Sequence, residues 1–100
     1  MNKKYVDGKK YIIRSYGAGV FFGEIAERNG REVTMKNARR LWKWEGATEC
    51  IQLAMEGVKK PGRCSFTRYV DEIELLNVIE IIPCTDEAAK SIEGVPIWKI

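Results

Sequence analysis

Val20-Phe21-Phe22-Gly23-Glu24-Ile25-Ala26-Glu27-Arg28-Asn29-Gly30-Arg31-Glu32-Val33-Thr34-Met35-Lys36 is the stretch that decides the fold. Two runs with aromatic and β-branched residues flank Asn29-Gly30, a dipeptide that readily takes the two positive φ values of a type I′ hairpin turn. A two-residue turn centred on that pair predicts a register: Ala26 opposite Val33, Ile25 opposite Thr34, Glu24 opposite Met35 and Gly23 opposite Lys36. One face then carries Phe22, Ala26, Val33 and Met35, and the other carries Phe21 and Ile25. Apolar groups on both faces require partial cover on each side, which a small curled barrel or a subunit interface would supply. Gly23 in mid-strand fits a bend where such a sheet curls.

Outward from the hairpin, Asp7-Gly8 marks a turn, Tyr11 to Tyr16 reads as a strand, and Gly17-Ala18-Gly19 punctuates it. On the other side, Asn37-Ala38 interrupts before a further strand, Arg39 to Trp44. Thr48 is a good helix N-cap, and Ile51, Ala54, Met55 and Val58 recur at helical spacing up to the stop at Pro61-Gly62. Cys64 to Val70 is another strand. Residues 71–78 leave strand, turn and short helix open, while Ile79 to Ile82 reads as a strand closed by Pro83. Thr85 caps a second short helix with Asp86 and Glu87 in its first turn, where carboxylates are favoured, and Gly94 and Pro96 end it. The expected class is α+β: one domain over residues 1–100, with 1–8 as a loose N-terminal segment, built as a small, strongly curled antiparallel sheet or barrel-like β domain with one or two short helices.

Composition bounds the function. An apolar share of 45% suffices for one modest core, and a domain of this size gains from burial in an oligomer. The net charge of +3 is mild for a DNA-binding protein, yet the basic excess lies in residues 1–44 and the acidic excess in the remainder. Such a dipole can steer an anionic ligand or pack subunits head to tail. Cys50, Cys64 and Cys84 are odd in number and form no CxxC, which points to reduced thiols and a cytoplasmic protein rather than a secreted disulfide framework. No apolar run reaches the length of a membrane helix. Histidine is absent, which excludes Ser-His-Asp and Cys-His nucleophilic sites and the usual His base. No metal or cofactor is expected, and a non-enzymatic binding role is.

Two segments are candidate ligand contacts. On an ideal strand Arg40, Trp42 and Trp44 share one side, with Leu41 and Lys43 on the other. Guanidinium groups such as those of Arg39 and Arg40 bind phosphate, and indoles stack on bases. The same tryptophans could instead fill the core, with Arg40 stacked on one of them. In Arg14-Ser15-Tyr16-Gly17-Ala18-Gly19, the glycines let backbone N–H groups approach an anion, and Arg14 and Tyr16 could add a charge and a stacking ring. A plain turn is the alternative. The predicted ligand-binding residues are Arg14, Tyr16, Gly17, Ala18, Gly19, Arg39, Arg40, Trp42 and Trp44. Asp71, Glu72, Glu74 and Glu80 read as a solvated edge, and the cysteines as buried small apolar groups.

Gly-Ala-Gly-Val-Phe-Phe-Gly at 17–23, Asn-Ala-Arg-Arg-Leu-Trp at 37–42, and Glu-Ile-Ile-Pro-Cys-Thr at 80–85 followed by Pro-Ile-Trp-Lys resemble a family of small bacteriophage and prophage proteins. The likeness covers roughly residues 11–100 and brings no assigned chemistry. It implies a phage or prophage product acting in the host bacterial cytoplasm. The expectation is a homo-oligomeric protein that sequesters a small phosphorylated ligand, such as a cyclic or signalling nucleotide of host defence. The alternatives are a small β-barrel that binds nucleic acid, and an inhibitor that binds a host protein.

Overall fold

A computed structural model describes residues 5–47 and 49–98. The expected looseness of residues 1–4 and the expected cap at Thr48 lie outside the described residues. Among the described residues the fold is α+β: a six-stranded antiparallel sheet and two short helices. In chain order the elements are β1 (Tyr11–Ser15), β2 (Gly19–Asn29), β3 (Glu32–Lys43), α1 (Cys50–Glu56), β4 (Ser65–Phe66), β5 (Val70–Leu75), β6 (Val78–Pro83) and α2 (Asp86–Glu93). A single 3-10 turn, Pro61–Arg63, precedes β4. Strands β6, β1, β2 and β3 lie side by side, and β4 and β5 both pair with β3. The open question at residues 71–78 resolves into β5, a turn at Leu76 and Asn77, and β6. The outer strands β5 and β6 do not pair with each other, so the sheet stays open and the expected barrel-like closure is not what the pairing shows.

The central hairpin forms where the sequence places it, but in another register. Asn29 pairs with Glu32, so Gly30 and Arg31 occupy the turn instead of Asn29 and Gly30. Only Gly30 has a positive φ, +64°, which is the pattern of a type II′ turn with glycine first. Ile25 then meets Met35, and Glu24 meets Lys36. Two irregularities interrupt the ladder, one at Ala26 and one opposite Gly23, where Asn37 takes a φ of +50°. Each bulge reverses the alternation of side chains. As a result Val33 and Met35 share a cluster with Phe21 and Ile25, not with Phe22.

Both faces of the sheet are apolar, as expected, and each is covered differently. Ile12, Phe22, Leu41 and Phe66 pack under α1 and α2 with Leu53, Ala54 and Ile92. The second cluster gathers Tyr11, Ile13, Phe21, Ile25, Val33, Met35, Leu75 and Val78 from strands alone, with Tyr5 and Ala18 at its margin. Only Leu76 and Asn77 separate β5 from β6, so chain length brings the sheet's two edges towards each other around this cluster without pairing them. Tyr5 stands edge-on to Tyr11 at 5.5 Å, and the Gly8 N–H donates to Glu24.

The helices are short and capped. Glu49 accepts from the N–H groups of Ile51 and Gln52 at the start of α1, and Gly57, with φ +78°, ends the helix well before the stop expected at Pro61-Gly62. The buried face of α1 is Cys50, Leu53 and Ala54, whereas Ile51 and Met55, predicted to face the core, are exposed. Thr85 caps α2 as expected, accepting from Ala88, and its hydroxyl donates to Met55 O of α1 at 2.8 Å. No helix among the described residues is long and apolar enough to cross a membrane.

Candidate ligand-binding site

The predicted site residues do not converge. Arg39 is 1% exposed and serves the fold. Its Nε donates to Thr67 O at 2.9 Å, and Nη1 donates to Ile92 O at 3.1 Å and Val95 O at 3.0 Å. Nη2 reaches Phe66 O at 3.4 Å and Pro96 O at 3.5 Å. The guanidinium also lies over the rings of Phe66 and Tyr69, at 5.4 and 4.8 Å. A buried guanidinium is tolerated when its donors are met, and here backbone carbonyls from three parts of the chain meet them. Burial pushes the Tyr69 hydroxyl above its usual range, with the nearby Arg39 charge opposing. Arg39 is therefore withdrawn from the ligand set.

Trp44 and Arg14 leave it too. Strand β3 ends at Lys43, and Trp44 packs, half-buried, against the same cluster as Leu41. The expected shared side of Arg40, Trp42 and Trp44 is thereby broken. Arg14 is spent on Glu80, its cross-strand neighbour, through Nε to Oε1 at 2.8 Å. Ala18 is half-buried at the edge of the strand-only cluster, and its N–H donates to Ser15 O, so it offers no free backbone donor.

Five predicted positions remain: Tyr16, Gly17, Gly19, Arg40 and Trp42. Tyr16 is 75% exposed, with its N–H committed to Asn77 O. Gly17 and Gly19, with φ of +85° and +110°, shape an open turn in which nothing lies within 4 Å of a Cβ built on either. Trp42 is 63% exposed. Arg40 pairs with Phe21, where the β2–β3 ladder stops, and the β3–β4 ladder is irregular between Leu41 and Lys43, around Trp42. The Arg40 guanidinium lies over the Phe21 ring at 5.0 Å, and its main-chain N–H donates to Thr67 Oγ1. Its Nε is buried and has no hydrogen-bond partner, the only such side-chain atom among the described residues. A buried donor left unmet costs about 1–3 kcal/mol, a cost that an acceptor reaching it would remove.

Sequence reasoning missed two features. Lys43 and Arg68 are exposed, carry no ion pair among the described residues, and flank Trp42 and Arg40 in sequence or across the Thr67 link. A groove of about 480 Å³ lies elsewhere, lined by Tyr5, Tyr11, Arg28, Gly30, residues 78–81 and Pro83. No periodicity announces that groove, because it is made by the hairpin tip meeting a strand distant in sequence. Among the described residues no group of three or more Cys, Asp and Glu side chains is disposed to hold a metal. The three thiols are unpaired: Cys50 and Cys84 are buried as expected, and Cys64 is half-buried.

A family model described as Domain of unknown function (DUF6948) matches residues 8–92. No curated protein matches the chain, and no solved structure does.

Proposed function

We propose, for a chain that belongs to the DUF6948 family and takes no assigned chemistry from it, a non-enzymatic role in holding a small phosphorylated ligand that carries a flat ring. The observation that carries this reading is the partnerless buried Nε of Arg40, two strand positions from an indole left largely in solvent. Arg40 would donate to phosphate. Trp42, with Tyr16 across the glycine turn, would stack on a base. Lys43 and Arg68 would add unpaired positive charge beside the site. The reading is one of sequestration rather than turnover. A cyclic or signalling nucleotide fits this chemistry. A phage or prophage protein that withholds such a signal from host defence in the bacterial cytoplasm is the biological setting that the motif likeness suggests.

A panel of cyclic and linear nucleotides tested by titration calorimetry examines this. One nucleotide should bind and be recovered unaltered after heat release. Trp42→Ala should weaken binding about tenfold or more, the scale of one stacked base, and Arg40→Gln should do likewise. Arg14→Gln should leave binding unchanged, since that side chain is already paired with Glu80. Recovery of altered nucleotide, or no binding across the panel, removes the reading. The same exposed indole and unpaired cations favour nucleic acid as the second reading. It predicts affinity that falls steeply with salt and grows with strand length beyond one nucleotide.

A further inference from the structure

Among the described residues the sheet has two edges of opposite character. Strand β6 pairs with β1, and β5 with β3. The Val78 N–H already donates to Arg31 O at the hairpin tip, at 3.0 Å, and Pro83 has no N–H, so the open edge of β6 runs over Ile79 to Ile82. The 480 Å³ groove touches residues 78–81 in succession. Side chains of a strand alternate between faces, so a groove that meets four consecutive residues runs along the backbone edge of β6. Its other wall is Tyr5, Arg28 and Gly30. Ile79, 51% exposed, lies in it. Arg28 holds Gly30 O through Nε and the Tyr5 hydroxyl through Nη1, but has no carboxylate partner among the described residues. Glu80, the one acid in the groove, is already paired with Arg14.

β5 presents the complement. Its sequence, Val-Asp-Glu-Ile-Glu-Leu, carries Asp71, Glu72 and Glu74, all exposed and none in an ion pair among the described residues. Charge of one sign keeps β5 from pairing with a copy of itself, a common protection of free edges. It does not protect β5 from an edge that holds an unpaired cation. β6 has no lysine and no proline before Pro83 to blunt it.

We infer that β5 of one copy of this chain adds to the free edge of β6 of a second copy, with a β5 carboxylate meeting Arg28 and the exposed Ile79 covered. Strand addition satisfies the outward main-chain groups of β5 and of Ile79 to Ile82, and the Arg28–carboxylate contact sets which edge meets which. The contact is head to tail, so copies form a ring or a longer chain rather than a two-fold dimer. The reading does not depend on the nucleotide site, whose Arg40 and Trp42 lie at the other end of β3 from the hairpin tip.

Charge reversal tests it. Sedimentation and native mass spectrometry, across a concentration series reaching the high micromolar range, should show the protein assembling beyond a monomer. Arg28→Glu, and the joint reversal of Asp71, Glu72 and Glu74 to lysine, should each weaken assembly tenfold or more, because each places like charges across the contact. Mixing the two variants should restore alternating assemblies, since every contact in the mixture is again between opposite charges. Circular dichroism confirms that each variant is folded, and Ile79→Lys supplies a further block without touching either charge. A wild-type monomer at all concentrations overturns the inference. So does weakening by Arg28→Glu with none by reversing Asp71, Glu72 and Glu74 together to lysine, which would mean that β5 is not the strand added, and so does a mixture of Arg28→Glu with that triple variant that fails to reassemble.

Discussion

An arginine and a cysteine that look alike in sequence to their neighbours end in opposite settings. Arg39 and Arg40 are adjacent, yet one is sealed under carbonyl oxygens and the other keeps a donor open. Cys64 and Cys84 divide in the same way. Burial pushes the Cys84 thiol up to about 12, because the thiolate would lose its hydration. Cys50 is raised for the same reason, whereas Cys64 is half-buried and its Sγ lies 3.4 Å from Lys60 O. At pH 8 a disulfide reagent should therefore modify Cys64 first, and Cys84 only when the chain opens. The raised value also has a sign for stability. The unfolded thiol ionises near its ordinary value of about 8.5 and the folded one only near 12, so the contribution is intact below the lower value and is lost as pH rises towards the upper. Urea unfolding at pH 8 and pH 10 should show wild type losing about 2 kcal/mol more than Cys84→Ala over that interval. Equal losses in the two proteins would mean that the thiol is not withdrawn from water.

At the scale of the element, the β2–β3 hairpin was legible in kind and illegible in register. Asn29-Gly30 marks the reversal, but Gly30 alone takes the left-handed φ, and this moves the turn by one residue. The bulges at Ala26 and Asn37 then re-sort the faces, and nothing in those two residue types announces them. Gly23 is the exception: a glycine in mid-strand was expected to mark a bend, and it sits opposite the Asn37 bulge. A Cβ there would lie 2.8 Å from both Cα and Cβ of Ala38. Gly23→Ala should cost about 1–3 kcal/mol, as overpacking of a full core does, because backbone rather than a side-chain tip must give way. Ala38→Gly in the same chain removes one of the two clashes and should recover part of the loss. Chemical denaturation of the single and double variants measures both. A neutral Gly23→Ala would show that the strands can separate there without cost. In α1 the helical spacing predicts one apolar face, of which Ala54 and Val58 are buried and Ile51 and Met55 are exposed. Cys50 and Leu53 are buried because α1 leans on α2, and α2 is a neighbour that one helix's own pattern cannot reveal.

For the whole molecule, the residue most misread from sequence is the one that joins the most parts. A basic residue beside a tryptophan reads as a ligand contact until the chain's last described residues are placed. Ile97 bridges to Phe66 and the Trp98 N–H donates to Phe66 O at 2.8 Å, which draws the segment after α2 across the end of β3. That segment and α2 supply Ile92 O, Val95 O and Pro96 O, so the exposure of Arg39 is decided more than fifty residues away. Composition and local pattern carry no such information, and they leave open which tryptophan is exposed, Trp42, and which packs on the core, Trp44. If Arg39 and the final segment act as a unit, their losses should not add. A chain ending at Gly94 lacks two of the five acceptors, and Arg39→Met removes the guanidinium while keeping apolar bulk. Each change alone should lower the urea midpoint, because each strands buried polar groups without partners. In the doubly changed chain the combined loss should fall short of the sum by about 1–3 kcal/mol, since carbonyls already removed cannot be orphaned again. Strict additivity would place the stability of that end of the sheet in apolar packing of Val95 and Phe66, and leave the buried guanidinium as a bystander.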